Sequence, residues 1–481
     1  MKRALKVSLV VLAIASPNVG RSQIPDAKFR DPGDALLGSV SGVGGRALGM
    51  GGAFIAIADD ATAASWNPAG LAKLTRPEAS IVGESASGDY QDGGFLYREI
   101  YAETEGGSEV FSYDYRETLT SEDASADSSG LSFVSATYPF KLGKRLLVAQ
   151  VSNRKYFERP DFDSSGQYAQ VLDFSIEGNR GQITDSFGKR VAVSAGGGSD
   201  LYTLSLATAI TEKFRVGLSV NYVDGSESSA ARTTFNYSDG TDEVLVTSSR
   251  SEYTGLYFDL GIQADVTDWL AVGAVYHSGF SDSLKIRENT DCCRFETEGD
   301  FDWPDGWAVG LAVRPTDRWT FSADYSVTNW SGASQSVRID RFLGPVTGSF
   351  GFPTGGSQED AAAIRFGVEY VVSVGSGVLP LRAGYFVEEQ PSSFYPAPEG
   401  TSFEQPETDG FTLGLGYSFA VGKSMLQFDV AYIKSTTDES LRRSFDEGST
   451  DGSFGYRYQI TFSAKPELDR DRIVGSFIVR F

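Results

Sequence analysis

The 481-residue chain carries 64 Asp and Glu against 42 Lys and Arg, a formal net charge of −22, which disfavours nucleic acid and an anionic inner leaflet as partners. Beyond its first residues it has no run of about 18 apolar residues, the length a membrane-spanning helix needs, so a membrane crossing would have to be made by strands. A composition of 54 Gly, 32 Phe and 22 Tyr beside 3 Met and 1 His points the same way, being rich in turn and strand residues.

In chain order, Met1, Lys2 and Arg3 precede an apolar stretch from Ser8 to Ala15, the charged and hydrophobic regions of a secretory signal. Cleavage could follow Ala15 or Ser22, and residues 1–22 are read as the signal peptide. Residues 23–76 form a second unit. Its stretch 41–76 is small, apolar and irregular, with six glycines between Gly42 and Gly52 that permit close backbone contacts. A short helix is predicted from Asp60 to Ser65, ending before Pro68. Such a segment is too small to bury a core of its own and fits a plug inside a barrel made by residues 77–481.

The remainder is dominated by period-two alternation. Leu256, Phe258, Leu260, Ile262 and Ala264 are apolar, whereas the residues between them are mostly polar or small. Leu218, Val220 and Tyr222 alternate with Gly217, Ser219 and Asn221, and Phe321, Ala323 and Tyr325 with Ser322 and Asp324. Strands of about 10 residues are long enough to cross a bilayer when tilted, whereas soluble sandwiches use about 5 to 6. Short turns near 141–144, 211–213, 266–268, 315–317, 372–379 and 420–424 take turns with long loops near 87–130, 158–198, 224–252, 281–304, 331–360, 389–408 and 435–469. Six turns and seven loops join fourteen strands, the layout of an outer-membrane barrel; strand-like stretches within 165–195 and 455–464 leave twelve or sixteen open. Trp269 and Trp319 follow short turns, while Tyr222, Tyr276, Tyr325 and Tyr432 lie toward the far strand ends, as two interfacial girdles require. Adjacent Cys292 and Cys293 permit no long-range disulfide, and without further Cys or His ligands they predict no metal site. No cofactor is expected.

Gly45 to Phe54 (GRALGMGGAF), followed by ADDATA and by WNPAGL at Trp66 to Leu71, resembles the N-terminal hatch of the FadL/TodX family of outer-membrane transporters for long-chain fatty acids and hydrophobic compounds. Looser matches at 321–331, 380–386 and 412–419 extend the resemblance over most of the mature chain. The resemblance implies an all-β, fourteen-stranded transmembrane barrel plugged by a hatch, with hydrophobic ligands captured outside and released sideways into the membrane. The terminal Phe481 is similar to the signal read by the barrel-assembly machinery. A related barrel that serves as a shuttle in protein secretion carries a similar hatch, so a protein partner is the alternative to small-molecule uptake. Outer-membrane lipid and lipopolysaccharide are the expected surroundings, the latter through divalent cations on the acidic surface.

Phe54, Trp66, Asn67, Pro68 and Ala69 are the candidate hatch and gating residues; the last three also read as a capped turn at a helix end. Arg365 and Arg382 fall on the inward face of adjacent strands with Glu369, where each could bind a carboxylate head group or pair with that acid. His277 faces inward near the outer end of its strand. No nucleophile motif accompanies it, so an enzyme is not predicted.

Overall fold

The computed structural model describes residues 42–92, 95–105, 108–156, 162–176, 179–237, 240–290, 294–341, 359–390, 405–438, 441–451, 454–464 and 466–481. The expected signal peptide and the Cys292–Cys293 pair lie outside them. Residues 42–76 hold a single α turn, α1 (Gly45–Leu48), and two 3-10 turns, η1 (Ala63–Ser65) and η2 (Pro68–Lys73). Strands then follow as β1 (Glu78–Asp92), β2 (Phe95–Glu105), β3 (Ser108–Leu142), β4 (Arg145–Tyr156), β5 (Phe162–Ile176), β6 (Asn179–Ala209) and β7 (Phe214–Tyr237). Next come β8 (Asp242–Asp265), β9 (Leu270–His277), β10 (Phe280–Thr290), β11 (Arg294–Trp303), β12 (Gly306–Thr316), β13 (Trp319–Thr328) and β14 (Ser334–Arg341). The last are β15 (Ala361–Val374), β16 (Gly377–Glu389), β17 (Glu407–Val421), β18 (Ser424–Asp438), β19 (Leu441–Asp451), β20 (Phe454–Ala464) and β21 (Pro466–Arg480).

Fourteen of these close an antiparallel barrel: β1, β3, β4, β6, β7, β8, β9, β12, β13, β15, β16, β17, β18 and β21. Closure is made by β1, which pairs with β3 on one side and β21 on the other, so the barrel itself leaves no sheet edge. The expected faces hold. Leu256, Leu260, Leu413 and Val430 are 50–63% exposed, which for apolar side chains in regular alternation means lipid contact, while Ser219, Asn221, Gln263 and Asp429 are buried inside. Trp269 and Trp319 stand exposed at the short-turn end and Tyr222, Tyr276 and Tyr325 at the other.

The predicted long loops are a different structure from the one expected. Much of 87–130, 158–198, 224–252, 281–304 and 435–469 is strand. β2 continues β1 along the same edge of β3, β5 continues β4, β10 continues β9, and β19 and β20 continue β18 and β21. With β11 and β14 they prolong the barrel into an open sheet ordered β19–β20–β2–β3–β5–β6–β7–β8–β10–β11–β14. β15, β16 and β17 end at the rim. The 35 residues of β3 follow a path of about 115 Å, far more than a bilayer needs. These extensions read as loops because their sequence lacks the sustained apolar alternation of the membrane strands, yet cross-strand hydrogen bonding keeps the backbone extended.

Candidate functional site

Residues 42–76 lie within the barrel. The predicted helix from Asp60 is only η1, held by Asp60 accepting from the Thr62 amide (2.8 Å) and hydroxyl (2.6 Å). Pro68 begins η2 rather than merely ending a helix: its missing N–H is harmless at a first turn, and Asn67 caps that turn by accepting from the Ala69 amide. Met50, Phe54, Ile57, Trp66 and Leu71 form one apolar core with wall residues Val82, Phe133, Val148 and Val474. Phe54 and Trp66 meet edge to face at 6.0 Å, and the indole donates to the Val43 carbonyl at 2.8 Å.

Polar contacts fasten this segment on opposite sides. Asp324 of β13 accepts from the amides of Phe54 (2.6 Å) and Ile55 (2.9 Å). Three strands along the wall, Asn67 donates to the carbonyls of Ile55 and, on β8, Ile262 (3.0 and 2.9 Å). Gln263 donates to Ile55, and Gln150 and Ser135 donate to the Ala61 carbonyl. Arg46 joins Asp59 at 2.6 Å and Glu369 at 3.3 Å. Burial raises the Asp60 carboxyl; it also acts on Asp59, but there the Arg46 guanidinium prevails and holds the group at about 2.

Close approach is achieved with glycine. Cβ atoms added at Gly217, Gly261, Gly273, Gly367 and Gly384 would come within 2.1–2.6 Å of segment atoms between Met50 and Ala69. Gly217 faces Gly261, and Gly367 faces Gly384, across their ladders, so the segment's backbone rests directly on the wall.

The remaining predicted residues are engaged with protein groups. Arg365 pairs with Glu388 at 2.6 Å and reaches Ser326. Arg382 lies between Glu369 and Asp429, 2.7 Å from each. His277 meets Asp259 at 2.5 Å. Below the segment, at the short-turn end, a cavity of about 380 Å³ is lined by Arg46, Asp59, Lys73, Glu78, Arg382 and Arg480 among others. Burial lowers the Lys73 ammonium to about 8.

Above the segment, toward the long hairpins, lies an aromatic cluster that alternation alone does not predict. Phe280 stacks with Tyr257 (5.5 Å between centroids, 16°) and with Trp303 (5.8 Å, 19°), and Trp303 meets Trp330 edge to face. Leu201, Val223, Tyr253 and Ala361 complete it. Tyr253 donates to Glu227 and Trp303 to Asp282. Val275 touches Ile55 of the segment.

A sequence model described as outer membrane protein transport protein (OMPP1/FadL/TodX) matches residues 171–468. The chain belongs to this family. Among solved structures, a Pseudomonas aeruginosa FadL homologue is 14% identical with a TM-score of 0.56, covering 90% of this chain and 98% of that one. It shares the fold of this OMPP1/FadL/TodX member. The Ralstonia pickettii toluene transporter TbuX is 14% identical (TM-score 0.45; 92% and 99% covered) and the P. putida toluene transporter TodX 15% identical (TM-score 0.44; 92% and 99%). No curated protein sequence matches. As a member of this family the chain is an outer-membrane β-barrel transport protein, which places the short turns in the periplasm and the long hairpins outside the cell.

Proposed function

We propose that this barrel admits hydrophobic small molecules, with residues 42–76 acting as a hatch that ligand displaces and with release sideways into the bilayer. The aromatic cluster directly outside the plug carries the reading. A ligand ring adding to it would remove about 150–250 Å² of apolar surface from water, worth about 4–6 kcal/mol at ~25 cal/mol per Å². Phe54, Trp66 and Asn67 to Ala69 are the residues through which displacement would act, since Phe54 and Asn67 hold the segment to β13 and β8.

Sideways passage finds support in the wall beside this cluster. The β8–β9 ladder ends at Asp259–His277, Ser278 bonds both backbone groups of Phe258, and pairing with β10 resumes only at Glu252–Lys285. Residues 253–257 and 279–284 have no ladder partners in each other.

Soaking the purified full chain with fatty acids and alkylbenzenes, then identifying retained molecules by mass spectrometry, tests the proposal. Retention above the micelle blank that falls in Phe280→Ala is the expected result. Retention of detergent alone, with a secreted protein co-purifying, would replace uptake by the partner-binding alternative.

A further inference from the structure

We infer that His277 is the polar contact of the aromatic site and that it selects aromatic ligands bearing a hydroxyl group, an inference that rests on the uptake reading. His277 is the only histidine of the chain, and four consecutive barrel strands hold it. Thr203 on β6 donates to Asn221 on β7 at 2.7 Å, Asn221 donates to one oxygen of Asp259 on β8 at 2.7 Å, and the other oxygen meets Nδ1 of His277 on β9 at 2.5 Å. An ionised carboxylate only accepts, so Nδ1 carries the proton, and Nε2 of the neutral ring is left as an acceptor. That Nε2 is buried and meets no hydrogen-bond partner among the described residues.

Buried polar atoms without partners are rare in protein interiors because each forfeits its bond to water. Here three residues on three other strands fix the orientation of one whose remaining ring nitrogen meets no partner among the described residues. Position suggests what it serves. Along the strand path His277 lies between Val275, which touches the plug residue Ile55, and Phe280, which stands in the ring stack. A lone acceptor calls for a donor on the ligand. A carboxylate ligand supplies none and would meet the buried acids Glu227, Asp259 and Asp282 of the same region, whereas an ammonium would lose far more hydration than a hydroxyl on entering an apolar cluster. The fit is to a phenol or a similar ring alcohol.

The test compares 4-methylphenol with 1,4-dimethylbenzene, molecules of one shape that exchange a hydroxyl for a methyl group. Their equilibrium partition into purified full-length protein is measured against a micelle blank, with heat-modifiable gel migration checking that each variant is folded. The ratio of the two affinities is the readout. His277→Phe should lower that ratio about tenfold, the loss of one buried hydrogen bond. His277→Gln, which keeps a polar end, should retain part of the ratio and serves if the Phe variant does not fold. An unchanged ratio in both variants would overturn the role of His277 and leave uptake standing. Failure of the wild-type protein to bind either compound would overturn uptake as well.

Discussion

Alanine at Gly384 should unseat the plug. Its Cβ would stand 2.1 Å from the Gly51 nitrogen and 2.4 Å from the Met50 carbonyl carbon, where ordinary contact begins at 3.4 Å. All the nearest atoms are backbone, so nothing can rotate aside, and the segment must retreat by about 1.3 Å. Overpacking of this kind costs about 1–3 kcal/mol. The retreat also pulls on the bonds from the Gly51 amide to Thr412 (2.9 Å) and from Thr412 to the Gly49 carbonyl (3.0 Å), each worth about 1 kcal/mol. A combined cost of about 3 kcal/mol shifts the ratio of seated to displaced plug on the order of 100-fold. Planar-bilayer conductance should show openings in Gly384→Ala that the native protein lacks, and cells carrying it should become sensitive to a bulky antibiotic that the outer membrane excludes. Gly475→Ala is the control, because its Cβ would meet nothing within 4 Å. Identical conductance in the two variants would refute the argument that wall glycines seat the plug.

Three further outcomes are expected. Arg382→Leu strands the buried carboxylate of Asp429 and leaves Glu369 to Arg46 alone, and should destabilise the barrel by about 3–5 kcal/mol, seen as a lower temperature of conversion to the unfolded gel band. Ile262→Arg places a charge on the lipid face opposite Ala274, between the levels of Trp269 and Tyr276, and should cost about 2–4 kcal/mol in urea unfolding from vesicles, whereas Asp259→Arg would act inside instead. The Asp59 carboxyl is held below its ordinary 3.8 at about 2, so its stabilisation is present above pH 3.8 and is lost as pH falls through about 2. Protease cleavage within residues 42–76 should therefore rise over that window, and Asp59→Asn should flatten the rise.

The barrel was legible because a bilayer imposes a two-residue rhythm on every strand it contains. Leu256 to Ala264 and their inward partners could be assigned to faces from that rhythm, and the strand count followed from the connections. Above the membrane the rhythm fades, which is why the extensions of β3, β6 and β8 read as loops. The glycines of the plug were visible as a cluster, and Gly217 and Gly261 were visible on the inward face. That one set sits against the other has no signature along the chain. Asp324 and Gln263 likewise look like any polar lumen residues until the plug amide and carbonyls they hold are in place.

Local sequence thus determined the strand faces, the aromatic girdles and the small-residue character of residues 42–76, since each depends on solvent or lipid next to a single strand. Tertiary structure alone decided which acids Arg365 and Arg382 neutralise, which carbonyls Asn67 reaches, and that Tyr257, Phe280, Trp303 and Trp330 converge outside the plug. Those relations join residues tens to hundreds of positions apart, and barrel closure, not any neighbour in the chain, brings them together.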